Sequence, residues 1–248
     1  MYHFYTDKAN ISEKTISIFG EDVNHIKNVL RMKEGEEIII CDSEGTDYHS
    51  KIVSLGKNEV VAEILDSGIS EAELPFRVHL FQGLPKKDKM EMIIQKSVEL
   101  GVHEIIPVMT RRVIVKLDDK KKEEAKLKRW QAISESAAKQ SGRGIIPQIS
   151  GCMSFKEALS KAQKMDKILI PYENADSSPL GMKASRELLQ NIPEGSDVAV
   201  FIGPEGGFEP EEVEEAIRSG ASAISLGKRI LRTETAGMML LSVIGFIN

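Results

Sequence analysis

Apolar and polar positions follow two different rhythms along this chain. In the first seventy residues the apolar runs are short, and Ile38–Cys41, Tyr48–Val53 and Val60–Ile64 are each of strand length. Lys33-Glu34-Gly35, Asp42 to Gly45 and Gly56-Lys57-Asn58 separate them with turn chemistry at the spacing of a small β-barrel. After Gly20 a short helix is predicted with Val23, Ile26, Val29 and Leu30 inward and Asn24, His25, Lys27, Asn28 and Arg31 on a wetter side. Leu65 to Leu74, rich in acids, serine and glycine, reads as a linker.

From Phe76 the rhythm becomes an alternation of strand and helix. The strand RVHLFQGL is followed by a helix carrying Met90, Ile93, Ile94, Val98 and Leu100, with Pro85 near its start and Gly101 at its exit. Glu104 to Val108 then returns as a strand, with Thr110 to Ile114 similarly patterned, so Phe76 to Val108 is a βαβ unit of a parallel sheet. Leu127, Trp130, Ile133 and Ala137 lie on one face of a further helix, where the lone tryptophan reads as packing. Helices at Ser154–Gln163 and Lys183–Gln190 flank the strand Lys167–Pro171 and the turn Tyr172–Leu180. The pattern predicts an α/β chain of two domains, a small β-barrel over residues 1–70 and a parallel-sheet domain over residues 71–248.

The stretch from Val198 to Ala236 concentrates the chemistry. Val198–Ile202 has the continuous apolar character of a strand covered on both faces, and Gly203-Pro204-Glu205-Gly206-Gly207 ends it. Glu209, Glu211 and Glu212 open a helix where the macrodipole favours acids, and Gly220 closes it. Ala223 to Leu226 forms a second strand that runs into Gly227, the basic residues Lys228, Arg229 and Arg232, and a final apolar helix. Glycine loops and charges are thereby delivered to the carboxyl edge of one sheet, where open α/β sheets bind ligands. The loop is neither GxGxxG nor a phosphate loop, so neither a dinucleotide nor a nucleoside triphosphate is indicated.

Composition adjusts this picture modestly. A net charge of -5 over 248 residues argues against a non-specific nucleic-acid coater, although basic groups can gather locally. Arg31, Lys86, Lys89, Arg111, Arg112, Arg129 and Arg143 are the candidates for meeting a phosphate backbone. Cys41 and Cys152 have no neighbours at metal-ligand spacing, so neither a disulfide nor a metal centre is expected. The amino terminus has no apolar core of signal-peptide length and no apolar run is long enough for a membrane span, which reads as a cytoplasmic protein without a membrane partner.

The segments KKDKMEMIIQKSVELGVHEIIPVMTRR, RWQAISESAAKQSGR, FIGPEGGFEPEEVEEA and SLGKRILRTETA, in that order, closely resemble the ribosomal RNA small subunit methyltransferase E family of the SPOUT class. The resemblance covers nearly the whole chain, including a PUA-like barrel up to about Leu65. It implies a deep trefoil knot near the C-terminus, a homodimer, and S-adenosylmethionine-dependent methylation of N3 of a specific uridine in 16S ribosomal RNA, within the assembled small subunit. The alternatives are a SPOUT methyltransferase acting on another RNA and a non-catalytic RNA-binding protein.

Carried over by motif, the cofactor loops are Leu169–Glu173, Ile202–Gly207 and Leu226–Arg232. Within them Gly203, Gly206 and Gly227 would let backbone approach the cofactor, while Leu169, Ile202, Leu226, Ile230 and Leu231 would pack on its ring. Pro171, Tyr172, Glu173 and Pro204 complete these loops, and Thr235 would add a hydrogen bond. Arg232 is the expected catalytic cation, with Glu205 organising it or accepting a proton. The last helix, with Met238, Met239, Leu240, Leu241, Val243, Ile244 and Phe246, offers the dimer surface.

Overall fold

The computed structural model describes residues 1–113, 120–172 and 181–247. These residues divide into two units, one of Met1–Glu73 with Ala138–Ile146, the other of Leu74–Ala137 with Pro147–Asn248.

The first unit is a five-stranded sheet in the order β1 (Tyr2–Tyr5), β3 (Glu37–Cys41), β4 (Thr46–Leu55), β5 (Glu59–Ile69) and β2 (Thr15–Phe19). Only β1 and β3 run parallel. With β1 and β2 left as edges, the sheet is a curled half-barrel rather than a closed barrel. Its core takes Phe4, Ile16, Ile18, Ile38, Ile40, Ile52, Val60 and Ala62 from alternate positions of the strands, with Val23 and Ile26 supplied by the helical segment. Two expectations shift here. The supposed linker is strand as far as Ile69. Val29 is 65% exposed rather than inward, because α1 (Glu21–Asn24) widens into a π-turn over His25–Val29 and the extra residue per turn rotates that side chain outward.

Residues 138–146 belong to this unit through specific bonds. The Arg143 guanidinium makes a bidentate pair with Glu73 at 2.8 and 2.6 Å, and Tyr5 Oη donates to the carbonyls of Ala138 and Arg143. A Cβ at Gly144 would lie 2.3 Å from Cβ of Ser70, so only glycine fits that approach.

The second unit is an all-parallel seven-stranded sheet. Its order is β12 (Ser222–Ile224), β10 (Lys167–Pro171), β11 (Asp197–Ile202), β6 (Arg77–Gly83), β7 (Glu104–Met109) and β8 (Gln148–Ile149), with β9 (Met153–Ser154) also on β7. The βαβ unit is present as β6, α2 (Lys89–Glu99) and β7. Thr110–Val113 is not strand, and Ile114 lies outside the described residues, as do Glu173–Leu180 of the expected turn. Helices α3 (Lys120–Ser141), α4 (Phe155–Ala162), α5 (Met182–Gln190), α6 (Pro210–Arg218) and α7 (Thr233–Ile247) complete the unit, α3 giving its last turn to the first unit. One core cluster joins Phe81 and Phe201, stacked at 4.6 Å, to Phe155, Phe208, Val213 and Ala216. Trp130 is buried, in keeping with packing.

Candidate functional site

Because every strand of the second unit is parallel, their carboxyl ends share one edge. β10, β11 and β12 are neighbours there, so Tyr172, Gly203–Glu209 and Ser225–Arg232 leave the sheet side by side. The exit of β6 adds Leu84–Asp88, and that of β7 adds Thr110–Val113.

The glycine loop is held tightly. A Cβ at Gly203 would meet Gly207 backbone at 3.1 Å and the Phe208 ring at 3.3 Å, and a Cβ at Gly83 would strike Pro204 at 2.6 Å. Gly207 takes φ +69° and its amide closes the turn on the Pro204 carbonyl at 2.8 Å. Gly227 takes φ +104°, with its amide donating to Ser225 Oγ at 3.3 Å. Glycine is therefore favoured by backbone conformation at 207 and 227, and by close protein neighbours at 203.

The polar ties run to neighbouring elements. Thr233, buried at the start of α7, donates its hydroxyl to the Gly203 carbonyl at 2.6 Å and accepts from Gln82 Nε2 at 2.8 Å. The same Gln82 amide donates to Gly83 O, while its buried Oε1 has no partner among the described residues. Glu205 accepts from the Lys86 amide at 3.0 and 3.2 Å and pairs with Lys89 at 3.2 Å, and Lys89 reaches on to Glu234 at 3.3 Å. Burial alone would raise the Glu205 carboxyl, but the hydrogen bonds from its own amide and that of Lys86, with Lys89, outweigh it and hold the group below the usual range. Arg112 donates to the Gly206 carbonyl at 2.6 Å and pairs with Glu209 at 2.8 Å.

Comparison with known proteins meets this geometry directly. An RNA methyltransferase domain matches residues 72–245 and an RNA methyltransferase PUA domain matches residues 19–65. The chain is 40% identical to ribosomal RNA small subunit methyltransferase E of Bacillus subtilis, over 99% of this chain and 95% of that one. It is 35% identical to the protein of that name from Mesomycoplasma hyopneumoniae, over 98% of each. The chain belongs to the ribosomal RNA small subunit methyltransferase E family. A solved member from Neisseria gonorrhoeae, bound to S-adenosyl methionine, superposes with a TM-score of 0.77 at 34% identity, covering 98% of this chain and 95% of that one.

In this family member the expected site residues separate into groups. Leu169 and Ile202 are buried in the sheet, Pro171, Tyr172, Leu226 and Leu231 are half-buried at its edge, and Ile230 is 86% exposed. Glu173 lies outside the described residues. Arg232 is exposed, and its carbonyl accepts the first backbone bond of α7, from Ala236 at 2.9 Å. One expectation is corrected: Arg143 is not a surface cation, because Glu73 buries it in a bidentate pair. Glu205 engages Lys89 and the Lys86 amide. The hydroxyl that reaches the Gly203 carbonyl is that of buried Thr233, while Thr235 is exposed.

The other basic candidates are also mostly engaged. Arg111 gives its amide to buried Glu212 at 2.9 Å and extends toward Glu211, and Arg129 pairs with Glu91 at 2.8 Å. Arg31, at φ +55°, and Lys86 remain on the surface. Sequence reasoning missed Gln82, Thr233 and the bridging role of Lys89. A glutamine directly after Leu80 and Phe81 near the end of β6 was the one signal that could have marked Gln82.

Proposed function

We propose that this chain transfers a methyl group from S-adenosylmethionine to N3 of one uridine in 16S ribosomal RNA, acting on the assembled small subunit. The observation that carries the reading is the convergence of the Tyr172, Gly203–Gly207 and Leu226–Arg232 exits from three adjacent parallel strands. In the same reading these loops form a deep trefoil knot and the chain works as a homodimer in the cytoplasm. Phe246, 91% exposed on α7 while Leu240, Leu241 and Ile244 face the core, supports a partner against that helix. Among the described residues no helix is long and apolar enough to cross a membrane.

The residues fit the cofactor. Gly207 and Gly227 have open space where a side chain would stand, and Ile230 presents an apolar side chain to solvent at the same edge. Leu226, Ile230 and Leu231 would hold the adenosine, with the backbone of residues 203–207 and 227 alongside. When bound, S-adenosylmethionine supplies a methyl group already activated by its sulfonium charge.

Uridine N3 carries a proton at neutral pH, so the chain's task is alignment and stabilisation of a uracil anion. Arg232, exposed at the head of α7, is assigned to that anion. Glu205, held low by its donors, is a weak base, and we assign it to fixing Lys89 and the loop rather than to taking the N3 proton. Neither cysteine is set up as a nucleophile, since burial pushes the Cys41 thiol up to about 12 and the Cys152 thiol up to about 11. Arg31 and Lys86 are assigned to phosphates.

The test is incubation with small ribosomal subunits and methyl-labelled S-adenosylmethionine, followed by nucleoside mapping. The expected product is 3-methyluridine at one position. Label in transfer RNA or on a ribose hydroxyl would move the reading to another SPOUT target, and binding without transfer would reduce it to an RNA-binding module.

A further inference from the structure

The outer face of the half-barrel gathers metal-binding donors from residues far apart in the chain. In the paired strands, residues directly opposite share a face, as do residues two apart. The register His3↔Ile39↔His49↔Asp66 forms one row across β1, β3, β4 and β5, and Tyr5↔Cys41↔Asp47↔Gly68 forms the next. These rows place His3, Cys41, Asp47, His49 and Asp66 together on the face opposite the Phe4, Ile38 and Ile40 core. Beside them is a cavity of about 230 Å³ lined by Met1, Ile39, Asp47, His49, Asp66, Ser67 and Gly68.

Within this face, one donor atom each of His3, Cys41 and Asp47 lies within 4.8 Å of the others. Donors around a tetrahedral zinc stand about 3.4–3.7 Å apart, so closing on an ion takes side-chain movements of about 1 Å. The buried Nδ1 of His3 has no hydrogen-bond partner among the described residues, while Nε2 faces Asp47 at 3.1 Å. The Ser43 amide donates to Cys41 Sγ at 3.3 Å, the kind of bond that steadies a thiolate ligand.

We propose that His3, Cys41 and Asp47 bind a borderline-soft divalent cation of the zinc class, with a fourth position left to water. An imidazole, a thiolate and a carboxylate are a donor set suited to Zn²⁺ rather than to Ca²⁺ or Mg²⁺. The ion would pin the parallel edge strand β1 to β3 and β4, a structural role separate from methyl transfer. The Cys41 thiol donates to the Gly144 carbonyl at 2.9 Å without the ion, and binding would release that proton to solvent.

The test uses the full-length protein, stripped with a chelator and titrated with Co²⁺. The expected result is a near-ultraviolet sulfur-to-cobalt charge-transfer band that saturates at one equivalent and is displaced by Zn²⁺. The band should be lost in Cys41→Ser and kept in Cys152→Ser. Should Cys41→Ser fold poorly, His3→Gln and Asp47→Asn carry the test, each weakening Co²⁺ binding by at least about tenfold. Absence of the band, its survival in Cys41→Ser, its loss in Cys152→Ser, or unchanged affinity in both His3→Gln and Asp47→Asn would overturn the site.

Discussion

Both edges of the parallel sheet carry polar residues and use them in opposite ways. At the amino edge, His79 faces Glu104 at 2.8 Å and Asp197 at 2.9 Å, Arg77 forks onto Asp197, and Lys161 and Ser150 both donate to Glu104. Every one of these charges meets another. At the carboxyl edge, Arg232 and Ile230 stand in solvent beside loops whose shape is imposed by Thr233, Lys89 and Arg112. Polar groups that satisfy one another fix a fold. Groups that are positioned but left over are available to a ligand. Changes at the first edge should alter stability without altering chemistry, and changes at the second should do the reverse.

The largest effect expected under this contrast is on the rate of methyl transfer. Arg232→Ala should lower the single-turnover rate by about 10²-fold or more, as loss of one charge stabiliser at a reacting oxyanion does. Because the side chain is exposed, the melting temperature and the affinity for S-adenosylhomocysteine should hardly change. Raising pH should partly restore the rate by supplying more uridine anion. A wild-type rate across the pH series would move the catalytic cation elsewhere. Gly203→Val follows, with S-adenosylhomocysteine affinity down by about 30-fold or more, since a side chain there forces the loop off Gly207 and Phe208 at a cost of roughly 2 kcal/mol. Calorimetry on protein shown to be folded by circular dichroism reads it, and wild-type affinity would detach the loop from cofactor binding.

The amino edge supplies the counterpart. Burial by itself would raise Glu104, but hydrogen bonds from His79, Lys161 and Ser150, with the charge of Lys161, bring it from its ordinary 4.5 to about 2. A carboxyl held low in the folded state adds stability that is complete above about pH 4.5 and is lost as pH falls toward 2. Glu104→Gln should remove roughly 2 kcal/mol at pH 7 and flatten the acid limb of stability, leaving S-adenosylhomocysteine affinity unchanged. Denaturant titrations from pH 7 to pH 3 check this, and a loss of cofactor affinity would show that the two edges are coupled.

Which parts were legible in the sequence follows from how far apart the cooperating residues lie. The strand and helix alternation was readable because apolar periodicity is local, and the carboxyl-edge loops were readable because glycine clusters end apolar strands. Val29 misled because a π-turn leaves no mark on a periodicity count. Arg143 and Glu73, Lys89 and Glu205, and Gln82 and Thr233 are separated by 70, 116 and 151 residues, and only the fold brings them together. The same holds for His3, Cys41 and Asp47, whose spacing matches no ligand motif and whose proximity is a product of strand register.

Thr233 tests the contrast most finely because it belongs to both classes. It is buried and satisfied like a residue of the amino edge, yet its hydroxyl ends on the carbonyl of Gly203 in the glycine loop. Thr233→Val keeps the shape and removes the hydroxyl, so Gln82 Nε2 keeps only its bond to Gly83 O and the Gly203 carbonyl loses its donor, and folding should lose about 1–2 kcal/mol. If the bond also sets the loop for the cofactor, S-adenosylhomocysteine affinity should fall by roughly threefold to tenfold, and Thr233→Ser, which keeps the hydroxyl, should recover most of it. The recovery is the decisive part. A purely structural threonine would lose stability on either substitution, through the missing methyl in serine and the missing hydroxyl in valine, with no selective return of affinity. Equal affinity in the two variants would place Thr233 with the amino-edge network in function, despite its position in the fold.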